Sequence, residues 1–224
     1  MAVLRLLLVI ITGYLLGSIP FGLIVSKLRA KVDIRNFGSG RTGGTNVLRT
    51  LGRKAFVIVA VGDILKAATA VFIARWLMSE QFFTIGHILI GPPAAHAIAG
   101  ICAIIGHIFP IFARFRGGRG VATFIGGLAA ICPVAALFGG EVLLLGASIS
   151  GFASLGSIIS VVCAYLIMIP LVIIYGVPSE YLIYVLFGAV IILIAHFDNI
   201  RRLLSGKERK LNQKTASDSS VNQG

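Results

Sequence analysis

Two glycine-rich loops hold the residues whose chemistry stands out most clearly in this sequence. The first, residues 37–49, reads FGSGRTGGTNVLR. Glycine lets backbone amides approach an anion closely, and successive amides can form an anion-binding nest. Ser39, Thr45 and Asn46 can donate side-chain hydrogen bonds, and Arg49 adds a planar, permanently charged fork. This loop predicts a phosphate site, although the same glycines and hydroxyls could serve only to shape a turn.

A second loop, residues 106–123, repeats this chemistry in the sequence GHIFPIFARFRGGRGVAT, directly before another apolar run. Glycines ahead of a helix would aim free backbone amides, and the positive end of the helix dipole, at an anion. Gly117, Gly118 and Gly120 are the expected source of these amides, and Arg119 is the natural charged clamp. The pattern predicts a second phosphate site.

A third polar segment, residues 196–208, reads HFDNIRRLLSGKE and follows the last apolar run. If it is helical, the three-residue spacing of His196 and Asn199 puts both side chains on one face. Both could then point into one pocket, with Arg202 and Glu208 nearby in sequence. The alternative is the end of a helix at the membrane interface, decorated with ordinary basic anchors.

Several isolated polar residues have both a functional and a structural interpretation. His107 could be catalytic or could cap a membrane helix. Asp63 and Lys66 lie inside an apolar run at helical spacing, where buried charge is costly, and we expect them to form a structural pair. Ser154 and Ser157, near a helix junction, could add hydroxyls to the pocket or could only allow close helix packing.

Other chemistries fit the sequence poorly. The first loop lacks the G-x-x-x-x-G-K-[ST] order of a nucleotide-binding P-loop. A separate class of acyltransferases uses an H-x-x-x-x-D pair, and none of the four histidines has an aspartate at that spacing. Cys102, Cys132 and Cys163 stand alone in apolar sequence, so we expect neither disulfides nor a metal site.

The composition indicates an integral membrane protein. Of 224 residues, 57% are hydrophobic and 12% charged, and the mean hydropathy is +0.98. Several apolar runs reach the roughly 17 to 25 residues that a membrane-spanning helix needs. We predict an all-α polytopic bundle of about seven transmembrane helices, near residues 3–27, 55–78, 84–105, 121–138, 140–157, 158–175 and 181–197. Glycines and Pro133 make the fourth to sixth boundaries the weakest, and five or six spans remain possible.

The positive charge is concentrated in three segments. Most of the 20 lysines and arginines lie in residues 27–54, 114–119 and 201–224. With seven spans these segments fall on one side, and the positive-inside rule makes that side cytoplasmic. We therefore expect the N-terminus outside and the C-terminus inside. The predicted domains are a membrane-embedded part, 1–205, and a polar cytoplasmic tail, 206–224.

Four ordered segments, residues 17–22, 38–49, 106–123 and 196–208, resemble the bacterial acyl-phosphate-dependent glycerol-3-phosphate acyltransferase family, known as PlsY. The resemblance covers nearly the whole chain. It implies a seven-helix fold in the bacterial inner membrane, with the active site facing the cytoplasm. It also implies transfer of a fatty acyl group from acyl phosphate to sn-glycerol 3-phosphate, which yields lysophosphatidate and phosphate. Membrane lipids are expected partners, nucleic acid is not, and the oligomeric state stays open.

The resemblance also implies roles for individual residues. Ser39, Thr45, Ser157 and loop amides would hold the donor phosphate, while Arg49, Arg119 and Asn199 would orient glycerol 3-phosphate. His196 is the side-chain candidate for a general base, and a phosphate oxygen of the substrate is the other candidate. No cofactor or metal is implied. The remaining expected substrate-binding residues are Gly40, Asn46, Gly117, Gly118, Gly120, Ser154, Arg202 and Glu208.

The chain departs from the family pattern at a few loop positions. Arg41 and Gly44 stand where the family usually has asparagine and alanine, and Arg119 replaces a usual lysine. Two other functions stay open at this point. The loops could form the gate of an organic-phosphate transporter or channel, or the charge of +12 could serve a scaffold that binds acidic lipid or RNA.

Overall fold

The computed structural model describes residues 1–213, without the side chains of Ile85 and Ile88. Within these residues it contains nine α-helices, two 3₁₀ turns (Ile34–Asn36 and Ile111–Ala113) and a short hairpin of β1 (Phe83–Ile85) and β2 (Ile88–Ile90). The helices are α1 (Ala2–Gly17), α2 (Phe21–Ala30), α3 (Gly44–Leu77), α4 (Pro92–Ile108), α5 (Val121–Ile131), α6 (Pro133–Ser150), α7 (Ala153–Tyr175), α8 (Glu180–Ala195) and α9 (Phe197–Leu204).

Most of these helices are long and apolar enough to cross a bilayer. Five stretches of the described chain meet that condition, and α8 with α9, bent by 61°, adds a sixth if the pair counts as one span. The five are Ala2–Ala30, Gly44–Leu77, Pro92–Ala113, Pro133–Ser150 and Ala153–Tyr175. The structure thus confirms an all-helical bundle that crosses the membrane several times.

The predicted boundaries of the fourth and fifth helices, 121–138 and 140–157, are wrong. Pro133 begins α6, because a proline at the first helical position has no amide hydrogen to leave unpaired. Gly151, with a φ of 74°, ends α6 in the left-handed conformation that favours glycine. This leaves α5 with 11 residues. At 1.5 Å per residue it is about 16 Å long, roughly half the hydrocarbon thickness.

Two other boundaries also differ from the prediction. The third helix was expected from residue 84, but residues 83–90 form the hairpin, in which Thr84 pairs with Leu89. A turn at Gly86 and the proline at the start of α4 delay the helix to residue 92. The first predicted helix, 3–27, is broken between Gly17 and Phe21, where Pro20 interrupts the backbone hydrogen bonding.

The break in the first span places α2 against the first glycine loop. A Cβ atom added to Gly22 would collide with the carbonyl oxygen of Thr42. Only a glycine lets the helix and the loop backbone come this close. α2 therefore packs directly against the first loop.

The second span begins earlier than the predicted residue 55. α3 starts at Gly44 and bends at Gly52, whose φ is 81°. Thr45, Asn46 and Arg49 therefore lie in the first turns of a helix rather than in a loop. Their side chains are fixed by helical geometry, next to the amides that begin α3.

The core is formed where α3, α4, α5 and α8 meet. Phe124 of α5 and Tyr184 of α8 are fully buried and stack with their ring centroids 5.5 Å apart. The Tyr184 hydroxyl donates to the Phe124 carbonyl at 2.7 Å, which satisfies its polar atom inside the apolar core. These contacts hold α5, and the glycine loop ahead of it, in a fixed position.

Candidate functional site

Asn46 holds the first glycine loop in shape. Its side-chain nitrogen lies within 3.1 Å of three backbone carbonyls, and its side-chain oxygen accepts from the Ser39 amide at 3.0 Å. The three carbonyls belong to Ile34, Phe37 and Arg41. Asn46 is 2% exposed, so its polar atoms are directed at the loop itself. This arrangement presents half-buried Ser39 and Thr45 and exposed Gly40 at the loop surface.

The two glycine loops touch each other. The Thr42 amide donates to the Gly117 carbonyl at 3.4 Å. Arg35 donates to the Ala113 carbonyl at 2.9 Å and pairs with Asp33 at 2.6 Å. The guanidinium of Arg35 holds the pKa of Asp33 below its usual value, and the carboxylate in turn raises the pKa of Arg35. Two segments far apart in sequence therefore form one polar surface.

In the second loop the amides of Gly117 and Gly118 are not the free donors that the sequence suggested. They donate to the carbonyls of Ile108 and His107, at 3.2 and 3.1 Å, and so close the end of α4. The open amides are instead those of the first turn of α5, which have no intrahelical acceptor. That turn begins at Val121, directly after Gly120. The positive end of the α5 dipole points to the same place.

Glu208 joins the third segment into one cluster. One carboxylate oxygen accepts from Asn199 at 2.7 Å and from Ser154 at 3.1 Å. The other pairs with Arg202 at 2.9 Å. The Glu208 side chain is 4% exposed, so the start of the segment predicted as a polar tail folds back onto α7 and α9.

The next residues of this segment also contact the helices. The Leu211 amide donates to the Gly151 carbonyl at 2.7 Å, and the Arg209 carbonyl accepts from Arg49 at 2.9 Å. Residues 214–224 of the predicted tail lie outside the described residues. The family resemblance placed Glu208 at the site, but no pattern in residues 209–213 predicted that they too return to the bundle.

His196 lies at the bend between α8 and α9 and is 2% exposed. Its Nδ1 is 2.8 Å from the Ile192 carbonyl oxygen, which can only accept. Nδ1 therefore carries the hydrogen, and in the neutral ring Nε2 keeps its lone pair. Arg119 of the second loop donates to the Ala195 carbonyl at 3.3 Å, which places the loop cation beside the same bend.

The site is strongly cationic. Burial, together with repulsion from Arg41 and Arg202, lowers the pKa of Arg119 to about 10, so the guanidinium stays charged at neutral pH. Glu208 and Asp198 only partly offset this repulsion. Arg49 lies in the same field, acted on by Glu208 and Arg202. Four guanidinium groups around one buried carboxylate form a site that favours anions.

Some polar atoms at this site are buried and lack a hydrogen-bond partner within the described part of the chain. They are Arg49 Nε and Asn199 Oδ1, and Thr123 Oγ1 in the first turn of α5 is unsatisfied in the same way. Each such atom costs free energy unless a ligand or water satisfies it. Arg49 interacts with the charge of Glu208 and Asn199 donates to it, so two of these atoms belong to residues of the cationic site.

The structure brings the predicted residues together to different degrees. Ser154, Asn199 and Arg202 each contact the carboxylate of Glu208 directly. The Ser157 hydroxyl instead donates to the carbonyl of Ala153 in its own helix, at 2.8 Å. Hydrogen bonds and charge interactions link Arg49 and Arg119 to this cluster.

Two residues that the structure singles out had no predicted role, namely Arg41, which acts on Arg119, and Thr123, whose hydroxyl is buried without a partner in the described chain. Arg41 was noted only as a departure from the family pattern, and Thr123 only as the end of the second loop. The signal for Thr123 was its position in the first turn of an apolar helix, where a buried hydroxyl has few backbone partners. For Arg41 the signal was a cation inside an anion-binding loop.

Comparisons with known proteins agree with this picture. The family model for glycerol-3-phosphate acyltransferase matches residues 7–206. The chain is 56% identical to glycerol-3-phosphate acyltransferase 3 of Dehalococcoides mccartyi over 96% of this chain and all of the relative. It is 41% identical to the glycerol-3-phosphate acyltransferase of Halalkalibacterium halodurans, over 92% of this chain and 96% of the relative.

Two solved structures are also similar. Both are crystal structures of PlsY (YgiH), an integral membrane glycerol 3-phosphate acyltransferase, one in its glycerol 3-phosphate form and one in its lysophosphatidic acid form. Their TM-scores are 0.79 and 0.77, with 35% and 34% sequence identity. Each match covers 92% of this chain and 94% of the other.

Proposed function

The chain belongs to the PlsY family of glycerol-3-phosphate acyltransferases, which form lysophosphatidate, and on that premise we propose that its acyl donor is an acyl phosphate. The cationic site carries this proposal, because several guanidinium groups from separate segments surround one carboxylate. A single phosphate monoester carries a charge of about −1.5 to −2 at neutral pH. An acyl phosphate and glycerol 3-phosphate, held side by side, match a site with this excess of positive charge.

The reaction needs no covalent enzyme intermediate. The primary hydroxyl oxygen of glycerol 3-phosphate attacks the carbonyl carbon of the donor and forms the new ester bond. The bond between that carbon and the phosphate oxygen breaks, and phosphate leaves with the electron pair. The hydroxyl proton passes to a phosphate oxygen. The protein contributes by holding the two substrates in line and by stabilising negative charge.

The described residues divide naturally between the two anions. Ser39, Thr45 and the amides of the first loop would hold the donor phosphate, with Ser157 at the neighbouring start of α7. Arg49, Arg119 and Asn199 would orient glycerol 3-phosphate, and Asn199 Oδ1 is free to accept from one of its hydroxyls. Asn46 would shape the first loop rather than touch substrate, because its amide is occupied there.

The remaining predicted residues fit around these contacts. Gly40 and Gly120 would let the chain approach phosphate closely, and Ser154, Arg202 and Glu208 would fix the position of Asn199. Gly117 and Gly118 would act through the fold of the second loop, because their amides are engaged by α4.

We also propose the membrane arrangement that the charges favour. The three basic segments would face the cytoplasm of a bacterial inner membrane, with the N-terminus outside and the C-terminus inside. The seven predicted segments would then correspond to α1 with α2, α3, α4, α5, α6, α7, and α8 with α9. In this arrangement α5 is the fourth of the seven segments, although it has only 11 residues. Residues 1–205 would form the membrane domain, and the tail would contribute Glu208 to the site.

A donor assay tests the proposed chemistry. Purified protein would receive glycerol 3-phosphate with acyl phosphate, acyl-CoA or acyl-carrier protein, and lysophosphatidate would be measured. We expect product only with acyl phosphate, with one phosphate released per ester formed. Turnover with acyl-CoA alone would contradict the donor assignment and leave the acyltransferase family membership untouched.

His196→Ala provides the test of how the hydroxyl proton is removed. We expect a loss of about 10-fold or less in kcat at saturating substrates, because a phosphate oxygen accepts the proton and His196 mainly orders the bend. Loss of a positioned general base typically costs about 10²- to 10⁴-fold. A loss in that range, with a pH profile that loses one ionisation, would identify His196 as the base.

A further inference from the structure

Three ionisable side chains form a buried network beneath the second glycine loop. Asp63 and Lys66 of α3 are 2% and 4% exposed, and His107 of α4 is 6% exposed. Lys66 pairs with Asp63 at 2.7 Å, which confirms the expected pairing, and its Nζ lies 2.9 Å from His107 Nδ1. The reaction proposed above uses none of these groups.

The network also contacts the backbone between α1 and α2, where the first span is broken. Lys66 donates to the carbonyl of Ile19 at 2.9 Å, in the short segment between α1 and α2. Broken helices inside a membrane protein need partners for such carbonyls. The Lys66 ammonium thus has an ion pair and two hydrogen bonds, one for each of its three hydrogens.

This arrangement determines which nitrogen of His107 carries the hydrogen. An ammonium group can only donate, so Nδ1 accepts from Lys66 and the hydrogen of the neutral ring lies on Nε2. The contact of Nδ1 with Asp63 is longer, at 3.3 Å, and would require the opposite tautomer. The shorter contact therefore favours the Nε2–H form.

His107 faces the second loop in two ways. Its carbonyl accepts from the Gly118 amide at 3.1 Å. Its ring lies under the same glycine, since a Cβ atom added to Gly118 would collide with Nε2. The next residue is Arg119, whose guanidinium belongs to the cationic site. His107 thus fixes the backbone that carries the cation.

We propose that Asp63, Lys66 and His107 are positioning residues for glycerol 3-phosphate, which hold His107 as the Nε2–H tautomer under Gly118 and so set the direction of Arg119. Helix packing alone does not require this network. Replacing a buried ion pair with apolar residues of similar volume is often neutral or even stabilising. A network that links α3, α4 and the segment between α1 and α2 to a substrate loop has a different consequence, because its loss releases the loop.

The kinetic test uses two variants that avoid an unpaired buried charge. Asp63→Asn/Lys66→Met removes both charges together, and His107→Leu keeps the volume but loses the acceptor. At a saturating concentration of whichever donor is turned over, we expect KM for glycerol 3-phosphate to rise about 10-fold while kcat stays within about 3-fold. His107→Gln, which can accept from Lys66 and donate towards Gly118, is expected to restore KM to within about 3-fold of wild type.

His96→Gln is the matched control. His96 is also buried in α4, about 16 Å away along the helix, where its Nδ1 meets the Tyr181 hydroxyl at 3.0 Å. We expect this control to leave KM unchanged. Unchanged KM in both network variants, or an equal rise in KM with His96→Gln, would overturn the proposal.

A spectroscopic measurement on the wild-type protein gives a second readout. The chain has four histidines, so ¹⁵N labelling of their rings gives few signals. The signals of His107 are assigned as those that disappear in His107→Gln. They are also the signals that remain when the other three histidines are replaced. We expect the Nε2–H pattern, unchanged between about pH 6 and 8. An Nδ1–H or doubly protonated ring would overturn the proposal.

This inference rests on the proposed role of Arg119 in binding glycerol 3-phosphate. The two are separable by experiment. If Arg119→Ala left KM for glycerol 3-phosphate unchanged, the proposed role of Arg119 would fail. If Arg119→Ala raised KM and the network variants did not, only the inference about Asp63, Lys66 and His107 would fail.

Discussion

Replacing Arg119 with alanine is expected to lower kcat/KM for glycerol 3-phosphate by about 10²- to 10³-fold, the range seen when one preorganised electrostatic contact is removed. The guanidinium is charged. The Arg119 side chain is half-buried, and its Nε donates a hydrogen bond to the Ala195 carbonyl. Its remaining N–H groups can then meet a phosphate bidentately. Initial rates across a range of glycerol 3-phosphate concentrations, with the donor saturating, measure this loss.

The same substitution should affect stability differently from activity. Arg119 is repelled by Arg41 and Arg202, so its removal relieves strain among like charges in the ligand-free protein. The lost hydrogen bond to Ala195 costs about 1 kcal/mol. We therefore expect little net change in the free energy of unfolding. A large loss of activity together with a large loss of stability would point to misfolding.

Two further variants separate the geometry of the Arg119 side chain from its charge and from the overall charge of the loop. Arg119→Lys keeps the charge but loses the planar fork, so we expect a loss of only about 10-fold. Arg116→Ala removes an exposed arginine from the same loop and should leave kcat/KM within about 2-fold of wild type. Equal losses in Arg119→Ala and Arg116→Ala would show that the loop acts only through its overall charge.

Much of the fold could be predicted because the bilayer imposes a simple pattern. Long apolar runs must become helices, and those around α3, α4 and α7 did so. The errors arose where glycine and proline interrupt an apolar run. Within residues 121–157 the one charged residue is Glu141, directly after Gly139 and Gly140, so hydrophobicity and charge could not show that Pro133 separates the helices.

The candidate site was predictable as a set of segments but not as a set of contacts. Glycines, hydroxyls and arginines mark the loops because phosphate binding needs those groups. The tertiary hydrogen bonds of Glu208 with Ser154, and of Arg49 with Arg209, join residues far apart in sequence, and no periodicity encodes them. The engagement of the Gly117 and Gly118 amides by α4 was likewise hidden, because a glycine-rich loop can pair its amides or leave them free.

The positions of the cations and the helix ends explain how this site would bind anions inside a membrane protein. The first turns of α3 and α5 both begin at the site, directly after glycine residues. Their free amides and dipoles add to the charges of the arginines. Glu208 pairs with Arg202 and attracts Arg49 and Arg119, which limits the resulting repulsion. Its carboxylate is therefore the group on which the geometry of the third segment depends most.

Glu208→Gln is accordingly expected to lower kcat by about 10²-fold, with a smaller rise in KM for glycerol 3-phosphate. The carboxylate accepts from Ser154, Asn199 and Arg202, whereas a glutamine amide has one accepting oxygen and turns a donor towards another donor. Asn199 and Arg202 would then lose their fixed orientations. Full kinetics, with thermal unfolding measured on the same samples, test this expectation.

Ser154→Ala is the milder control for this prediction. It removes one of the three hydrogen bonds to Glu208 and keeps the charge of its carboxylate. We expect it to lower kcat by less than about 5-fold and to cost about 1 kcal/mol of stability. If Glu208→Gln behaved like Ser154→Ala, the charge of Glu208 would be unimportant and the arginines would be held by other groups. If both variants unfolded at the same lowered temperature but kept kcat, Glu208 would only attach residues 206–213 to the bundle.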